Sequence, residues 1–151
     1  MFFERKNRSH TIKRILFIML DIFSEFATDE RKETEGITVD LGGGASLLVA
    51  RRDNDNYLKL VQEEADAFAI RSQGLSAEAY EKADKDILIK ILAGTILLGW
   101  KNLSYKGKQL EYNTENAVMI LSHKDFRKMV MEHASDIANY KVELEDRDEK
   151  N

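Results

Sequence analysis

The chain has 151 residues, no cysteine and no proline, and a formal net charge of −4. This length suits one domain built on one hydrophobic core, and the lack of cysteine excludes disulfide-stabilised secreted folds and thiol catalysis. Residues 1–18 carry five basic side chains and one acidic one, a net charge of +4, which leaves −8 on residues 19–151 and argues against nucleic-acid binding.

Residues 1–18 differ in character from the rest of the chain. They are basic, end on an apolar run at residues 15–18, and are followed by a second methionine, Met19. Two interpretations fit this pattern. Either the segment is a real amphipathic arm, or the reading frame was started too far upstream and Met19 is the natural start. We favour the second interpretation.

Two apolar stretches, at residues 15–20 and 87–100, are too short or too interrupted to span a membrane. Asp21 closes the first and Lys90 lies within the second, whereas a span needs about 20 apolar residues. The sequence therefore predicts no membrane partner, and the absence of cysteine makes a reducing cytosol the expected compartment.

A β-hairpin is predicted after Gly36. Apolar and polar residues alternate over residues 37–41, and a second strand is predicted over residues 45–51. Between them, the three glycines at 42–44 supply the backbone freedom of a tight turn. Because they join two strands and do not open a helix, we interpret them as a turn and not as an anion site.

Two helices are predicted next. Residues 53–56 offer several N-cap side chains for a helix that runs to Gly74, and Ser76 is the N-cap of the following helix. That helix is apolar on nearly every side between residues 87 and 98, which is typical of a centrally buried helix. We expect it to end at Gly99.

The remainder is predicted as a connection followed by two helices. Residues 102–113 leave room for a short second β-hairpin. Thr114 is the predicted cap of a helix through Leu121, and Ser122 that of a last helix whose apolar stripe continues to Leu144.

The fold class predicted from these elements is α+β, mainly helical, with an N-terminal β-hairpin followed by a helical bundle with one centrally buried helix. The predicted organisation is a basic arm over residues 1–18, a single globular domain over residues 19–142 and an acidic tail over residues 143–151.

No catalytic, cofactor or metal site is predicted. Residues 94–101 faintly resemble a phosphate-binding loop, but the loop interior is apolar and Trp100 separates its second glycine from Lys101. His123 and His133 lack the spacing of metal ligands, and no carboxylate is paired with a nucleophile. We therefore expect a binding protein and not an enzyme.

Three aromatic residues at the joint after the buried helix are the predicted protein-binding side chains: Trp100, Tyr105 and Tyr112. Trp100 follows a glycine and could serve either as a core residue or as an exposed anchor for a partner. We favour the core.

A series of short strings, taken in order, resembles the tail assembly chaperones of long-tailed bacteriophages. No single string is diagnostic, but their order and spacing carry the likeness over residues 19–151. The strings are Phe26-Ala27-Thr28-Asp29, Glu33 with Glu35-Gly36, Val39-Asp40-Leu41-Gly42, Leu48-Val49-Ala50-Arg51, Asn56-Tyr57, Leu98-Gly99-Trp100-Lys101-Asn102, Tyr112-Asn113-Thr114-Glu115-Asn116 and the closing Glu149-Lys150-Asn151. The chain departs from the family where Lys106-Gly107-Lys108 replaces an acidic turn and a proline, which leaves the turn geometry there open.

The resemblance implies a non-catalytic protein of the host bacterial cytoplasm. Such a protein binds the tape-measure protein, a long helical chain, and keeps it soluble until the tail tube polymerises around it. It is absent from the finished virion, self-associates, and has tail-tube subunits as further partners. Two other classes stay open: a structural tail-completion or connector protein, and a small host-directed regulatory binding protein.

The resemblance also implies two product lengths, the longer one made by a programmed frameshift. Glu149-Lys150-Asn151 can be encoded GAA-AAA-AAC, which contains a heptamer on which both tRNAs re-pair after a one-base backward step. We therefore expect a minor, longer product whose extension recruits the tape-measure protein or tail-tube subunits.

Overall fold

The computed structural model of the chain describes residues 19–143. These residues divide into two compact units, residues 19–27 with 142–143, and Thr28–Lys141. The first unit contains one short helix, α1 (Ile22–Phe26), and a hydrogen bond from Val142 N to Ala27 O at 3.3 Å. All elements that follow belong to the second unit.

The predicted β-hairpin is confirmed. A short helix, α2 (Glu30–Glu35), ends at Gly36, and the chain then forms β1 (Ile37–Gly42) and β2 (Ala45–Val49), which pair antiparallel. The three glycines of the turn have φ values between 62° and 83°, which a residue with a side chain rarely adopts. They form a turn, as their place between two strands predicts.

Two long helices follow, with the caps that the sequence predicts. Helix α3 (Asp55–Arg71) begins after Asn54 and helix α4 (Ala77–Thr95) begins after Ser76. Each cap side chain accepts a hydrogen bond from a backbone N–H of the first turn, at 3.0 and 3.2 Å. These bonds satisfy donors that have no partner inside a helix.

The prediction that the buried helix runs to Gly99 is wrong. Helix α4 ends at Thr95, and a third strand, β3 (Leu97–Lys101), contains Gly99 opposite Leu48. A run that is apolar on every side does not distinguish a buried helix from a buried strand, because both cover all their side chains. Because residues 97–101 form a strand, residues 94–101 do not form the phosphate-binding loop that they faintly resemble.

Strand β2 is the centre of a three-stranded antiparallel sheet in the order β1-β2-β3. Leu47 of β2 pairs with Val39 on one side and with Trp100 on the other. The sheet and the helices after it share one hydrophobic core. Its buried members are Val39, Leu47, Val49, Ile89, Leu92, Ala93, Ile96, Leu97, Ala117, Ile120, Leu121, Val130 and Ala134.

A polar junction lies where β2 leads into α3. The Asn54 side chain, only 3% exposed, donates to Arg51 O at 2.7 Å and to Thr95 O at 3.3 Å. The Arg51 guanidinium in turn forms an ion pair with Glu33, whose carboxylate also accepts from the Thr28 hydroxyl. The hydrogen bond from Thr28 and the pairing with Arg51 lower the pKa of Glu33.

The second hairpin allowed by residues 102–113 is present. Strands β4 (Ser104–Tyr105) and β5 (Lys108–Gln109) pair antiparallel around Lys106 and Gly107. Both turn residues have positive φ, 50° and 80°, as two-residue hairpin turns require. This gives the turn geometry that the resemblance left open.

The predicted caps of the next two helices are wrong by one residue. Helix α5 (Thr114–Leu121) is capped by Asn113, whose side chain accepts from Asn116 N at 2.7 Å. Helix α6 (Lys124–Ser135) begins after His123, which makes no side-chain cap. Ser122 instead ends α5, because its hydroxyl donates back to a carbonyl of that helix.

The last helix is also shorter than predicted. It ends at Ser135, and Asp136 caps a separate 3₁₀ turn, Ile137–Tyr140. The turn buries Tyr140 completely, and the Tyr140 hydroxyl donates to Val49 O at 3.1 Å. Burial raises the pKa of this hydroxyl. The apolar stripe is therefore broken after Ser135.

The fold is α+β and mainly helical, with a small antiparallel sheet before the helical region, as predicted. In the part of the chain that the structure describes, no helix has both the length and the apolar character needed to cross a bilayer. The proposed arm at residues 1–18, Leu144 and the string at residues 149–151 lie outside the described residues. The predicted domain boundaries stay predictions.

Candidate protein-binding surface

Two of the three predicted binding side chains, Trp100 and Tyr112, contact each other. Their rings meet edge to face, with centroids 4.8 Å apart. The indole N–H of Trp100 donates to Leu110 O at 2.7 Å, and the hydroxyl of Tyr112 donates to Leu97 O at 2.9 Å. Trp100 is half-buried against the core, and burial raises the pKa of the Tyr112 hydroxyl. The pair therefore fastens residues 110–112 to β3.

The third predicted side chain, Tyr105, lies on the β4–β5 hairpin and contacts His123. The Tyr105 hydroxyl and His123 Nε2 are 3.0 Å apart, and the two rings lie 5.7 Å apart. The Lys106 ammonium lies 5.6 Å from the centre of the Tyr105 ring. The structure thus brings Trp100 and Tyr112 together and gives Tyr105 a different neighbour.

Between residues 19 and 143, no three His, Asp or Glu side chains form a group that could hold a metal ion. His123 is engaged with Tyr105, and the carboxylates of Glu33 and Glu64 are engaged in ion pairs. These arrangements link secondary-structure elements to one another.

A further uncovered surface is a pair of helices outside the three predicted binding side chains. We call residues 55–88 the α-hairpin: helix α3, the loop after it and the first part of α4. None of the residues in this range is buried, and the buried residues of α4 begin at Ile89. Leu60 contacts Gly94 at the base of the pair, where an added methyl group would lie 3.5 Å from the Leu60 side chain.

An ion pair at the base of the α-hairpin and an aromatic contact within it link α3 to α4. Glu64 of α3 pairs with Lys90 of α4 and with Arg71 of its own helix. The hydrogen bond from Lys90 lowers the pKa of Glu64, and Arg71 contributes further. Phe68 and Tyr80 pack with their ring centres 5.1 Å apart.

A cleft opens between the two helices beyond these contacts. It has a volume of about 280 Å³, and its walls are mainly apolar. The lining residues are Phe68, Arg71, Leu75, Ala83, Asp86 and Ile87. Next to the cleft, the end of the α-hairpin exposes 73% of Ile70 and 43% of Leu75.

The α-hairpin is acidic. Residues 55–88 contain eight Asp and Glu residues and four Lys and Arg residues, a net charge of −4. It therefore combines exposed apolar side chains with a net negative charge.

Comparison with models of known protein families assigns the chain to one of them. The family described as YdaY prophage protein matches residues 50–151, which are 102 of the 151 residues. The chain belongs to this family. It is thus a phage-derived protein. Neither the comparison with curated proteins nor that with solved structures returned a match.

The matched region begins directly after β2. It contains the α-hairpin, β3 with Trp100, the β4–β5 hairpin and the helices after it. All three predicted binding side chains and the cleft therefore lie within the part of the chain that carries the family likeness.

The sequence pattern predicts both helices of the α-hairpin but not their exposure. One feature of the sequence does point to this exposure. The half-buried stripe of α3 includes Tyr57, Leu60, Val61 and Phe68, and a glutamate, Glu64, stands in the middle of it. A carboxylate is costly to bury in an apolar core. Glu64 within the stripe therefore indicates that this face of α3 is not fully covered and packs only against α4.

Proposed function

We propose that this protein is a phage tail assembly chaperone that acts by binding and not by catalysis. Its partner is the tape-measure protein, a long helical chain, which it keeps soluble in the host bacterial cytoplasm while the tail tube assembles. The chaperone is then absent from the mature virion. Membership of a prophage protein family supports the phage setting of this proposal.

The observation that carries the proposal is the α-hairpin. With 17 residues in α3 and a rise of 1.5 Å per residue, it is about 26 Å long. It buries no residue against the rest of the protein, and its end exposes apolar side chains. Helices recognise one another by packing such faces, so a helical chain is the partner that suits this surface best.

The strings that resemble tail assembly chaperones support the proposal from a second direction. Three of them, residues 39–42, 48–51 and 98–102, overlap the three strands of one sheet. The third string is far from the first two in sequence but lies beside the second in the sheet.

Self-association and contact with tail-tube subunits complete the proposed role. The product of the reading frame described above binds itself and coats the tape-measure chain. A frameshifted, longer product recruits the tape-measure protein or tail-tube subunits through its extension.

Co-expression tests this function. The full chain, tagged, should co-purify with the tape-measure protein and raise its soluble fraction, while an unrelated coiled-coil protein of similar length serves as the control for unspecific capture. Mature particles should lack the protein. Its presence in particles would instead select the connector role, and a failure to bind any tail protein, with capture of a host protein only, would select the host-directed regulator.

A further inference from the structure

We infer that the cleft of the α-hairpin is a docking site for a basic amphipathic helix. The helix inserts an apolar side chain against Phe68 and Ile87 and sets a lysine or arginine beside Asp86. This inference deepens the proposed function and rests on it for the natural partner. The site itself is argued from the cleft and its charges.

The walls of the cleft suit a side chain of a partner protein. The cleft has about 280 Å³, is open to solvent, and is walled by Phe68, Leu75, Ala83 and Ile87. An open cleft with apolar walls between two helices can receive an apolar anchor side chain of a partner helix.

The charged groups at the rim of the cleft indicate which charge a bound helix should carry next to its anchor side chain. Arg71 and Lys90 both pair with Glu64, so Arg71 is already engaged with a carboxylate of this protein. Asp86 makes no side-chain hydrogen bond or ion pair within residues 19–143. Its carboxylate is therefore available to a cation beside the cleft.

The charge of the α-hairpin decides between a second copy and another partner. Two copies packed through their α-hairpins would bring a net charge of −4 against an equal charge of the same sign. Like charges at an interface oppose association, whereas a basic helix gains from the same field. The partner is therefore a basic helix and not a second α-hairpin.

Peptide binding to the full chain tests the site. The probe is a fluorescent synthetic peptide of about 20 residues, long enough to span the α-hairpin as a helix, with leucines on one face and lysines on the other. A peptide of the same pattern with glutamates in place of lysines is the first control. Measurements at about 0.15 M salt limit the reach of surface charges to about 8 Å.

Two pairs of matched variants locate the binding. Asp86→Lys should weaken binding of the lysine peptide by about tenfold, while Asp84→Lys, the same charge change on the same helix but away from the cleft lining, should weaken it by less than about threefold. Leu75→Ala should weaken binding similarly to Asp86→Lys. Leu58→Ala, an exposed leucine outside the cleft, should leave it unchanged.

The inference is overturned by equal losses from Asp86→Lys and Asp84→Lys, by equal binding of the two peptides, or by no binding of the lysine peptide. It is also overturned if Leu75→Ala abolishes a dimer of the protein in light scattering, because a second copy would then occupy the cleft. Circular dichroism checks that each variant is folded. Co-purification with the tape-measure protein is scored separately, so a protein that binds the peptide but no tail protein contradicts only the proposed function.

Discussion

Trp100 and Tyr112 fasten two segments to each other by reciprocal bonds. Trp100 lies on β3 and donates to the carbonyl of Leu110, while Tyr112, two residues after that carbonyl, donates back to Leu97 on β3. Their rings pack edge to face between the two bonds. Each side chain is thus anchored by the segment that the other belongs to, which favours the core interpretation of Trp100.

Replacement of Trp100 should therefore cost stability. Trp100→Ala should lower the free energy of unfolding by about 3 kcal/mol, since it removes a half-buried aromatic side chain and its hydrogen bond. Tyr112→Phe, which removes only the bond to Leu97 O, should cost about 1 kcal/mol. Urea denaturation measures both. A Trp100→Ala variant that keeps its stability but loses its partner would make Trp100 a binding residue.

Asn54 should be more sensitive than an ordinary helix cap. Its side chain caps α3 and also donates to two carbonyls, so Asn54→Ala should cost about 2–3 kcal/mol. Ser76→Ala, which removes the exposed cap of α4, is the matched control and should cost about 1 kcal/mol. Thermal unfolding ranks the two variants, and equal costs would contradict the role given to the polar junction.

Gly36 should tolerate a methyl group less well than Gly107. Both have positive φ, 89° and 80°, so alanine is strained by about 1–2 kcal/mol at either position. At Gly36 the methyl group would also lie 3.1 Å from the carbonyl carbon of Val49, whereas at Gly107 it meets open space. Gly36→Ala should therefore be the less stable variant in denaturant titrations. The reverse order would contradict the close approach at Gly36.

Stability should fall at acid pH through Glu33. Because the folded state lowers the pKa of Glu33, its stabilisation is fully present above the pKa of the unfolded chain and is lost as pH falls through the folded value. Glu33→Gln should cost about 1 kcal/mol at neutral pH. This cost should shrink once the pH falls below the ordinary pKa of a glutamate and disappear below the lowered pKa of Glu33 in the folded protein. Chemical denaturation at several pH values measures it. A cost that does not change with pH would show that the ion pair with Arg51 contributes nothing.

The features that the sequence predicts well are those decided by neighbouring residues. The glycine turn at residues 42–44 and the cap at Ser76 follow from local backbone chemistry and are confirmed, and the cap at Asn54 is one of the candidates that residues 53–56 offered. Strand β3 could not be predicted in this way, because Leu97 pairs with Val49, which lies on the other side of two helices. Only the fold brings these residues together.

The candidate site was likewise predictable only where neighbouring residues decide the structure. Trp100, Tyr105 and Tyr112 were recognisable as aromatic residues near a joint, but their residue types do not reveal that two of them contact each other and the third contacts His123. The exposure of the α-hairpin was equally hidden, since amphipathic helices have the same pattern whether they face a core or one partner helix. Glu64 within the stripe was the one local sign of it.

The two ends of the segment between β2 and β3 are joined by a hydrogen bond from Ala50 N to Ile96 O at 2.8 Å. Helices α3 and α4 lie between these two residues, so the chain leaves the sheet at Ala50 and returns beside it at Ile96. Evolution can therefore lengthen or shorten the two helices together, by about seven residues each for every two turns, without altering the strand register or the core. The length of the α-hairpin can in this way change while the sheet and the core stay the same.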